Sequence, residues 1–198
     1  MKMKLFGRWD YEDVTVEDPG LRDYINLKPM LIPYSGGRHQ KHRFGKAKIP
    51  IIERLAGRLM TSGHLGKKHK WTSEHQTGKK YNAYKIIIRT FEIIEKRTKQ
   101  NPLKVFVKAI ENAAPREETT TIEYGGARYP KAVDCSPQRR VDLAIRHMVW
   151  GAFHGSRKKP ISIEEALAEE IINAYNNSLK SYAIKRKLEI EKTAESAR

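Results

Sequence analysis

Apolar residues recur at helical spacing in six stretches of this chain, and this pattern constrains the fold more than any other feature. The first stretch runs from residue 48 to 60, and its apolar positions are Ile52, Leu55 and Leu59. Spacings of three and four residues place side chains on one face of a helix, where they are buried together. The pattern therefore predicts a bundle of helices.

Helix start signals precede several of these stretches. Asn101-Pro102 and Ser136-Pro137 each place a capping residue before a proline, which is favoured in the first helical turn. Ser162 is followed three residues later by a glutamate, which is typical of a capping box. Gly151 and Gly155 leave the end of the fourth helix undefined. We predict an all-α fold with about six helices, which start near residues 48, 81, 102, 137, 163 and 181.

The helical pattern is interrupted by one hairpin, predicted at about residues 118–135. Gly125-Gly126 provides the two positive φ angles that a two-residue turn requires. This turn fixes the pairing of the strands: Tyr124 with Ala127, Glu123 with Arg128, Ile122 with Tyr129, Thr121 with Pro130 and Thr120 with Lys131. Because the hairpin has few large apolar residues, we expect it to protrude, either as an ordinary surface hairpin or as an arm that reaches a partner.

The first 47 residues contain prolines and glycine pairs without a sustained apolar period. We therefore predict that residues 1–47 form an extended arm that is basic at its far end. Residues 48–198 are predicted to form a single helical domain that includes the hairpin. Within it, residues 62–80 carry five lysines and three histidines with little apolar content, which favours a loop.

The charge of the chain points to a polyanionic partner. Lys and Arg number 39 against 23 Asp and Glu, which gives a net charge of +16 and a sequence pI near 9.9. Residues 31–80 hold twelve basic and two acidic side chains, a net of +10. No secretory signal or long apolar run is visible, so we expect a soluble, cytoplasmic protein that binds nucleic acid and no membrane.

The sequence gives little support to an enzyme. His39 and His42, or the histidines of residues 62–80, could suggest metal ligands or nuclease acid–base groups, but no carboxylate cluster or cysteine pair accompanies them. A single cysteine, Cys135, excludes an intrachain disulfide. The segment Gly63-His-Leu-Gly-Lys-Lys lacks the spacing of a nucleotide phosphate loop. We therefore predict no catalytic residue, no metal and no cofactor.

Folded RNA is recognised mainly through phosphate and shape, so basic residues should carry the interface. Charge alone selects Arg38, Lys41, Arg43, Lys46, Lys48, Lys67, Lys68, Lys70, Lys79, Lys80, Arg116, Arg128, Lys131, Arg146, Arg157, Lys158 and Lys159. Arg139 and Arg140 follow the hairpin at the start of the fourth helix, where backbone N–H groups add positive potential. We expect these two arginines and the hairpin base to form one concave basic corner suited to phosphate.

Aromatic residues and the last helix allow two interpretations. Tyr34, Phe44 and Trp71 lie among basic residues, where they either stack on unpaired bases or anchor their segments on the bundle. The lysine-rich last helix is either a binding surface or a solvated face. The larger residues of the helical stretches are expected in the core: Tyr84, Phe91, Phe106, Met148 and Trp150.

Five motifs in this order resemble the family of ribosomal protein seven of the small subunit. They are Pro-Ile-Ile-Glu-Arg-Leu (50–55), Asn-Pro-Leu (101–103), the Gly-Gly hairpin tip, Ser-Pro-Gln-Arg-Arg-Val (136–141) and Ser-Tyr-Ala-Ile-Lys-Arg-Lys (181–187). The resemblance covers essentially the whole chain. The long N-terminal segment and the insertion between Gly63 and Gly78 are similar to the archaeal and eukaryotic type.

The resemblance implies a helical protein that binds the 3′ major domain of small-subunit ribosomal RNA and nucleates assembly of the head. Arg139 and Arg140 match RNA-contacting positions of the family. Gly125-Gly126 matches the tip of a hairpin at the exit site, near transfer RNA and messenger RNA, and the matching basic residues of the last helix are Lys185, Arg186 and Lys187. Neighbouring small-subunit proteins are implied as further partners. A nucleic-acid-binding regulator outside the ribosome is the alternative, which explains the charge but not the ordered motifs.

Overall fold

A computed structural model describes residues 3–62, 78–157 and 159–198 of the chain. Within these ranges the chain forms six α-helices and one antiparallel hairpin, which confirms the predicted mostly helical fold. The elements are α1 (Ile51–Leu59), α2 (Lys80–Thr98), α3 (Pro102–Ala113), β1 (Glu117–Tyr124), β2 (Ala127–Asp134), α4 (Pro137–Ser156), α5 (Ile163–Tyr175) and α6 (Tyr182–Glu195). Three short 3-10 turns precede α1: Arg22–Tyr24, Arg38–Lys41 and Gly45–Lys48.

Local capping explains where several helices begin. The Asn101 side chain accepts a hydrogen bond from the Leu103 N–H at 3.0 Å, and Pro102 occupies the first turn of α3. Both hydrogen bonds of the predicted capping box are present at Ser162 before α5. Ser136 stands at the N-cap of α4 without a side-chain capping bond. Asn101 and Ser162 therefore each satisfy a backbone donor that has no partner inside its helix.

Helix α4 continues through Gly151 and Gly155 to Ser156, beyond the end that the sequence left undefined. A Cβ atom at position 151 would lie 2.8 Å from both the Glu170 side chain and the Tyr182 Cβ. The glycine therefore allows α5 and the start of α6 to approach α4 closely. Helix α4 also contacts α1, so it joins α1 to α5 and α6.

The hairpin has the predicted register, with Tyr124 opposite Ala127 and Glu123 opposite Arg128. Gly125 and Gly126 adopt φ angles of +58° and +79°, as the two-residue turn requires. The far half of the hairpin is exposed. Its base is fixed by the last helix and the C-terminal residues, because the Ala132 N–H donates to the Ala197 carbonyl and Arg198 forms an ion pair with Glu117.

The structure does not show an extended basic arm at the N-terminus. Leu5, Trp9 and Leu21 belong to the same buried core as the helices. The Trp9 indole donates to Glu95 on α2 at 3.0 Å, and its ring lies edge-on to Phe91 at 5.4 Å. The apolar residues of this segment are irregularly spaced, so a search for periodic patterns does not detect them.

The core is formed mainly by α3 and α5 and by the helices around them. Helix α5 packs against α2, α3 and α4, and Leu103, Phe106 and Ile110 on α3 are fully buried. None of the helices in the described ranges combines the length and the apolar character needed to cross a membrane.

Candidate RNA interface

The segment from residue 38 to 48 folds against the start of α4 and forms one wall of a basic groove. Phe44 has a left-handed φ of +58°, and a Cβ atom at Gly45 would collide with the His39 carbonyl oxygen. This tight turn presents side chains of the segment towards α4. The basic side chains that line the groove are His39, His42, Arg43, Lys46, Arg139 and Arg146.

Asp142 on α4 holds this segment in place. Its carboxylate accepts hydrogen bonds from Lys46 Nζ at 2.6 Å and from an Arg54 guanidinium nitrogen at 2.9 Å. Burial raises the pKa of the Asp142 carboxyl, but the hydrogen bonds from Lys46 and Arg54 outweigh this effect and hold it below its usual value. Arg54 also donates to the Tyr24 carbonyl at 2.9 Å. The network thus joins α1, α4 and the N-terminal segment.

Arg139 and Arg140 do not form the single corner that the sequence predicts. Arg139 is half exposed, lines the groove, and pairs with Glu118 at the hairpin base at 2.6 Å. Arg140 is only 12% exposed and donates to Asp18 at 2.8 Å and to the Pro115 carbonyl at 3.2 Å. Adjacent residues on a helix point about 100° apart. Arg139 therefore keeps half of its side chain exposed in the groove while it pairs with Glu118, whereas Arg140 braces the N-terminal segment.

The hairpin carries its predicted basic residues on its exposed half. Arg128 and Lys131 are exposed, and Arg128 lies 3.5 Å from Glu123 on the opposite strand. Tyr124 is 81% exposed beside the Gly125-Gly126 tip. Ile122 and Tyr129 are paired and also exposed, so one face of the hairpin presents apolar and aromatic side chains to solvent.

The three basic residues at the start of α6 differ in their environments. Lys185 is exposed, and Arg186 forms an ion pair with Glu189 one turn later. Lys187 donates to the Asn112 carbonyl at the end of α3 at 2.8 Å, and burial lowers the pKa of its ammonium group. Lys187 therefore links α6 to α3, whereas Lys185 and Arg186 present their charge to a ligand.

The other predicted contacts are dispersed over the surface. Lys80 forms an ion pair with Glu53 and lies 4.4 Å above the Tyr34 ring. The exposed predicted residues outside the groove and the hairpin are Arg38, Lys41, Lys48, Lys79, Arg116, Arg157 and Lys159. Lys67, Lys68, Lys70, Lys158 and Trp71 lie outside the described residues. Tyr34 and Phe44 are 61% and 68% exposed, so stacking on bases remains a prediction for both rings.

A second depression adjoins the groove. Two of its arginines, Arg54 and Arg58, were not among the RNA contacts predicted from the sequence. This depression, called here the arginine cavity, lies between α1 and α4, and its basic side chains are His39, Lys46, Arg54, Arg58, Lys80 and Arg146. Trp150, expected in the core, is only partly buried, and Arg58 and Arg146 lie 5.8 and 5.9 Å from the centre of its ring. Arg54 and Arg58 are four residues apart on α1, and residues at this spacing are neighbours on the helix surface. This spacing could have identified the pair from the sequence.

Across residues 3–62, 78–157 and 159–198, no group of three or more His, Cys, Asp or Glu side chains is arranged to hold a metal ion. Cys135 is buried, and burial raises the pKa of its thiol to about 11. A thiol in this state is a poor nucleophile.

A helical bundle with a connected basic surface is typical of a nucleic-acid-binding protein. The sequence model of the family described as ribosomal protein S7p/S5e matches residues 21–198, and the chain belongs to that family. The predicted family is thereby confirmed. Members are structural rather than enzymatic proteins, and this chain is a small-subunit ribosomal protein that binds ribosomal RNA and has other ribosomal proteins as partners. Membership favours this function over a regulator outside the ribosome.

Proposed function

We propose that this protein binds the 3′ major domain of small-subunit ribosomal RNA, nucleates assembly of the head, and directs its hairpin towards exit-site transfer RNA and messenger RNA. The observation that carries the proposal is the basic groove at the start of α4, directly beside the hairpin base. The groove and the hairpin are thus joined through Arg139 and Glu118, so RNA bound at one would fix the position of the other.

The electrostatics of the groove support recognition through phosphates. Arg43 and Arg139 are exposed in the groove, and guanidinium groups bind phosphate oxygens through paired hydrogen bonds. If the whole protein neutralises on the order of ten phosphates, counterion release makes log affinity fall with log salt at a slope of several units. Binding of this kind depends on the folded shape of the RNA more than on single bases.

A filter-binding series tests the RNA target. We expect the protein to prefer a transcript of the 3′ major domain over a transcript of the 5′ domain of the same RNA. Arg139→Gln should weaken binding about 3- to 10-fold and reduce the salt slope by about one. The matched control is Arg97→Gln, an exposed arginine in the last turn of α2 that lines neither the groove nor the arginine cavity.

Equal affinity for the two transcripts, or binding that persists in molar salt, would contradict the proposed target. Nucleation has its own test, because head proteins added to the 3′ major domain transcript should assemble more completely when this protein is bound first. If the order of addition makes no difference, the protein joins the head without nucleating it.

The position of the hairpin is tested by crosslinking. Tyr124 is the most exposed of the large apolar residues at the hairpin tip, and a photoreactive group at this position should crosslink to transfer RNA bound at the exit site or to messenger RNA. The matched control position is Tyr81, an exposed residue on α2. Crosslinks of equal yield from both positions, or none from Tyr124, would show that the hairpin lies elsewhere.

A further inference from the structure

The arginine cavity is recessed and already lined with positive charge. Its volume is about 320 Å³, which lies within the range of pockets that take small ligands. The Arg54 side chain on its wall is 3% exposed. Arg54 Nε is buried and has no hydrogen-bond partner in the part of the chain that the structure describes.

Arg58 on α1 and Arg146 on α4 face the same cavity and repel each other. Both lie against the Trp150 ring, and the Nε atom of each is buried without a hydrogen-bond partner among the described residues. Burial lowers the pKa of the Arg58 guanidinium, and the charge of Arg146 lowers it further. An anion between the two guanidinium groups would remove this repulsion and occupy both free donors.

The carboxylates of the cavity do not supply that anion. Glu53 accepts hydrogen bonds from the backbone and the hydroxyl of Ser35 and from Lys80, and Asp142 accepts from Lys46 and Arg54. The charged residues on the cavity wall are Lys46, Glu53, Arg54, Arg58, Lys80, Asp142 and Arg146. Five positive and two negative charges leave a local excess of three positive charges.

We propose that the arginine cavity holds the phosphate of one unpaired nucleotide of the bound ribosomal RNA, with Arg58 and Arg146 as its principal ligands. The inference rests on the proposed function and adds that this part of the surface selects an unpaired nucleotide of the RNA. The phosphates of a continuous A-form helix follow a regular path on its outside, whereas the Nε donors of Arg58 and Arg146 are buried below the protein surface. An unpaired nucleotide is free to leave that path and enter a pocket.

The test is phosphorothioate interference with a transcript of the 3′ major domain. Sulfur substitution at one phosphate should weaken binding of the wild-type protein, and chemical probing should show that this nucleotide is unpaired. The same interference should disappear with Arg58→Gln. The affinity of this variant for the transcript should fall about tenfold, and the slope of log affinity against log salt should be reduced by about one. Arg58→Lys, which keeps the charge without the two-pronged guanidinium, should have an intermediate affinity.

Arg97→Gln is the matched control and should retain the wild-type interference pattern. Circular dichroism and denaturation of each variant separate loss of binding from loss of folding, and Arg58→Lys supplies a folded variant if Arg58→Gln is unstable. Interference confined to paired nucleotides, or an unchanged pattern in folded Arg58 variants, would overturn the inference while the proposed function stands. A wild-type protein that does not bind the transcript would overturn both.

Discussion

His147 on α4 should make the protein lose stability in mild acid. Its side chain is 4% exposed, neither ring nitrogen has a hydrogen-bond partner among the described residues, and the rings of Trp150 and Tyr182 lie 5.7 and 6.3 Å away. Burial, and to a smaller extent the positive charges of Arg186, Arg146 and Arg58, together lower the pKa of the imidazole from 6.5 to about 4.

The sign of the effect follows from the protons that each state binds. Below pH 6.5 the unfolded chain protonates this histidine, whereas the folded chain does not until the pH is near 4. Acid therefore favours the unfolded state over this interval. A difference from 6.5 to about 4 corresponds to a loss of ~3 kcal/mol in the free energy of unfolding between pH 7 and pH 4.

The assay is urea denaturation of wild type and His147→Phe at intervals from pH 7 to pH 4. Other groups also titrate in this range, so the informative quantity is the variant's free energy of unfolding minus that of wild type at each pH. This difference should rise by about 3 kcal/mol as the pH falls, because phenylalanine binds no proton. Phe153→Leu is the control, since it alters packing on α4 without removing a titratable group. Parallel curves for wild type and His147→Phe would refute the reasoning.

Three further predictions concern stability and are each checked against a matched variant. Gly151→Ala should destabilise the fold by about 1–3 kcal/mol, because the added methyl group would collide with Glu170 and Tyr182. At Gly155 the added methyl group meets only ordinary contact, so Gly155→Ala should stabilise α4 by up to about 1 kcal/mol. Denaturation midpoints of the two variants that shift in the same direction would contradict this explanation. Gly125→Val should weaken the hairpin by about 1–2 kcal/mol because φ is +58° there, and amide exchange of the hairpin should show faster opening than in Gly125→Asn. Glu170→Ala should lower the free energy of unfolding by about 2–4 kcal/mol, because the Glu170 carboxylate accepts hydrogen bonds from the Ser181 hydroxyl and from the backbone N–H groups of Tyr182 and Ala183 at the start of α6. Glu169→Ala, at the adjacent exposed position, should change the free energy of unfolding little. Equal losses for the two variants would show that Glu170 does not cap α6.

The helices and the hairpin could be predicted because their determinants are local. A capping residue such as Asn101 acts on the next turn of the chain, and the Gly125-Gly126 turn sets the strand register by itself. The N-terminal segment could not be predicted in this way. Trp9 is held by Glu95, 86 residues away, and no local pattern in the first 47 residues signals that contact.

The candidate site was predicted in its charge but not in its geometry. Composition located the basic segment before α1, and the start of α4 was identified through Arg139. The sequence did not reveal that Arg140 is held by Asp18, 122 residues earlier, nor that Arg58 meets Arg146. Both facts depend on how α1, α4 and the N-terminal segment pack together, and such contacts between distant parts of the chain leave no signal in one sequence.

The burial of Trp9 against α2 has a consequence for the growing chain. Synthesis proceeds from the N-terminus at roughly 5–20 residues per second, so the 86 residues that separate Trp9 from Glu95 take about 4 to 17 seconds to add. During that interval the surface of α2 that covers the indole in the folded protein is missing. A nascent chain stalled before α2 should therefore bind chaperones that recognise exposed aromatic side chains, and a chain released after α3 should bind them less.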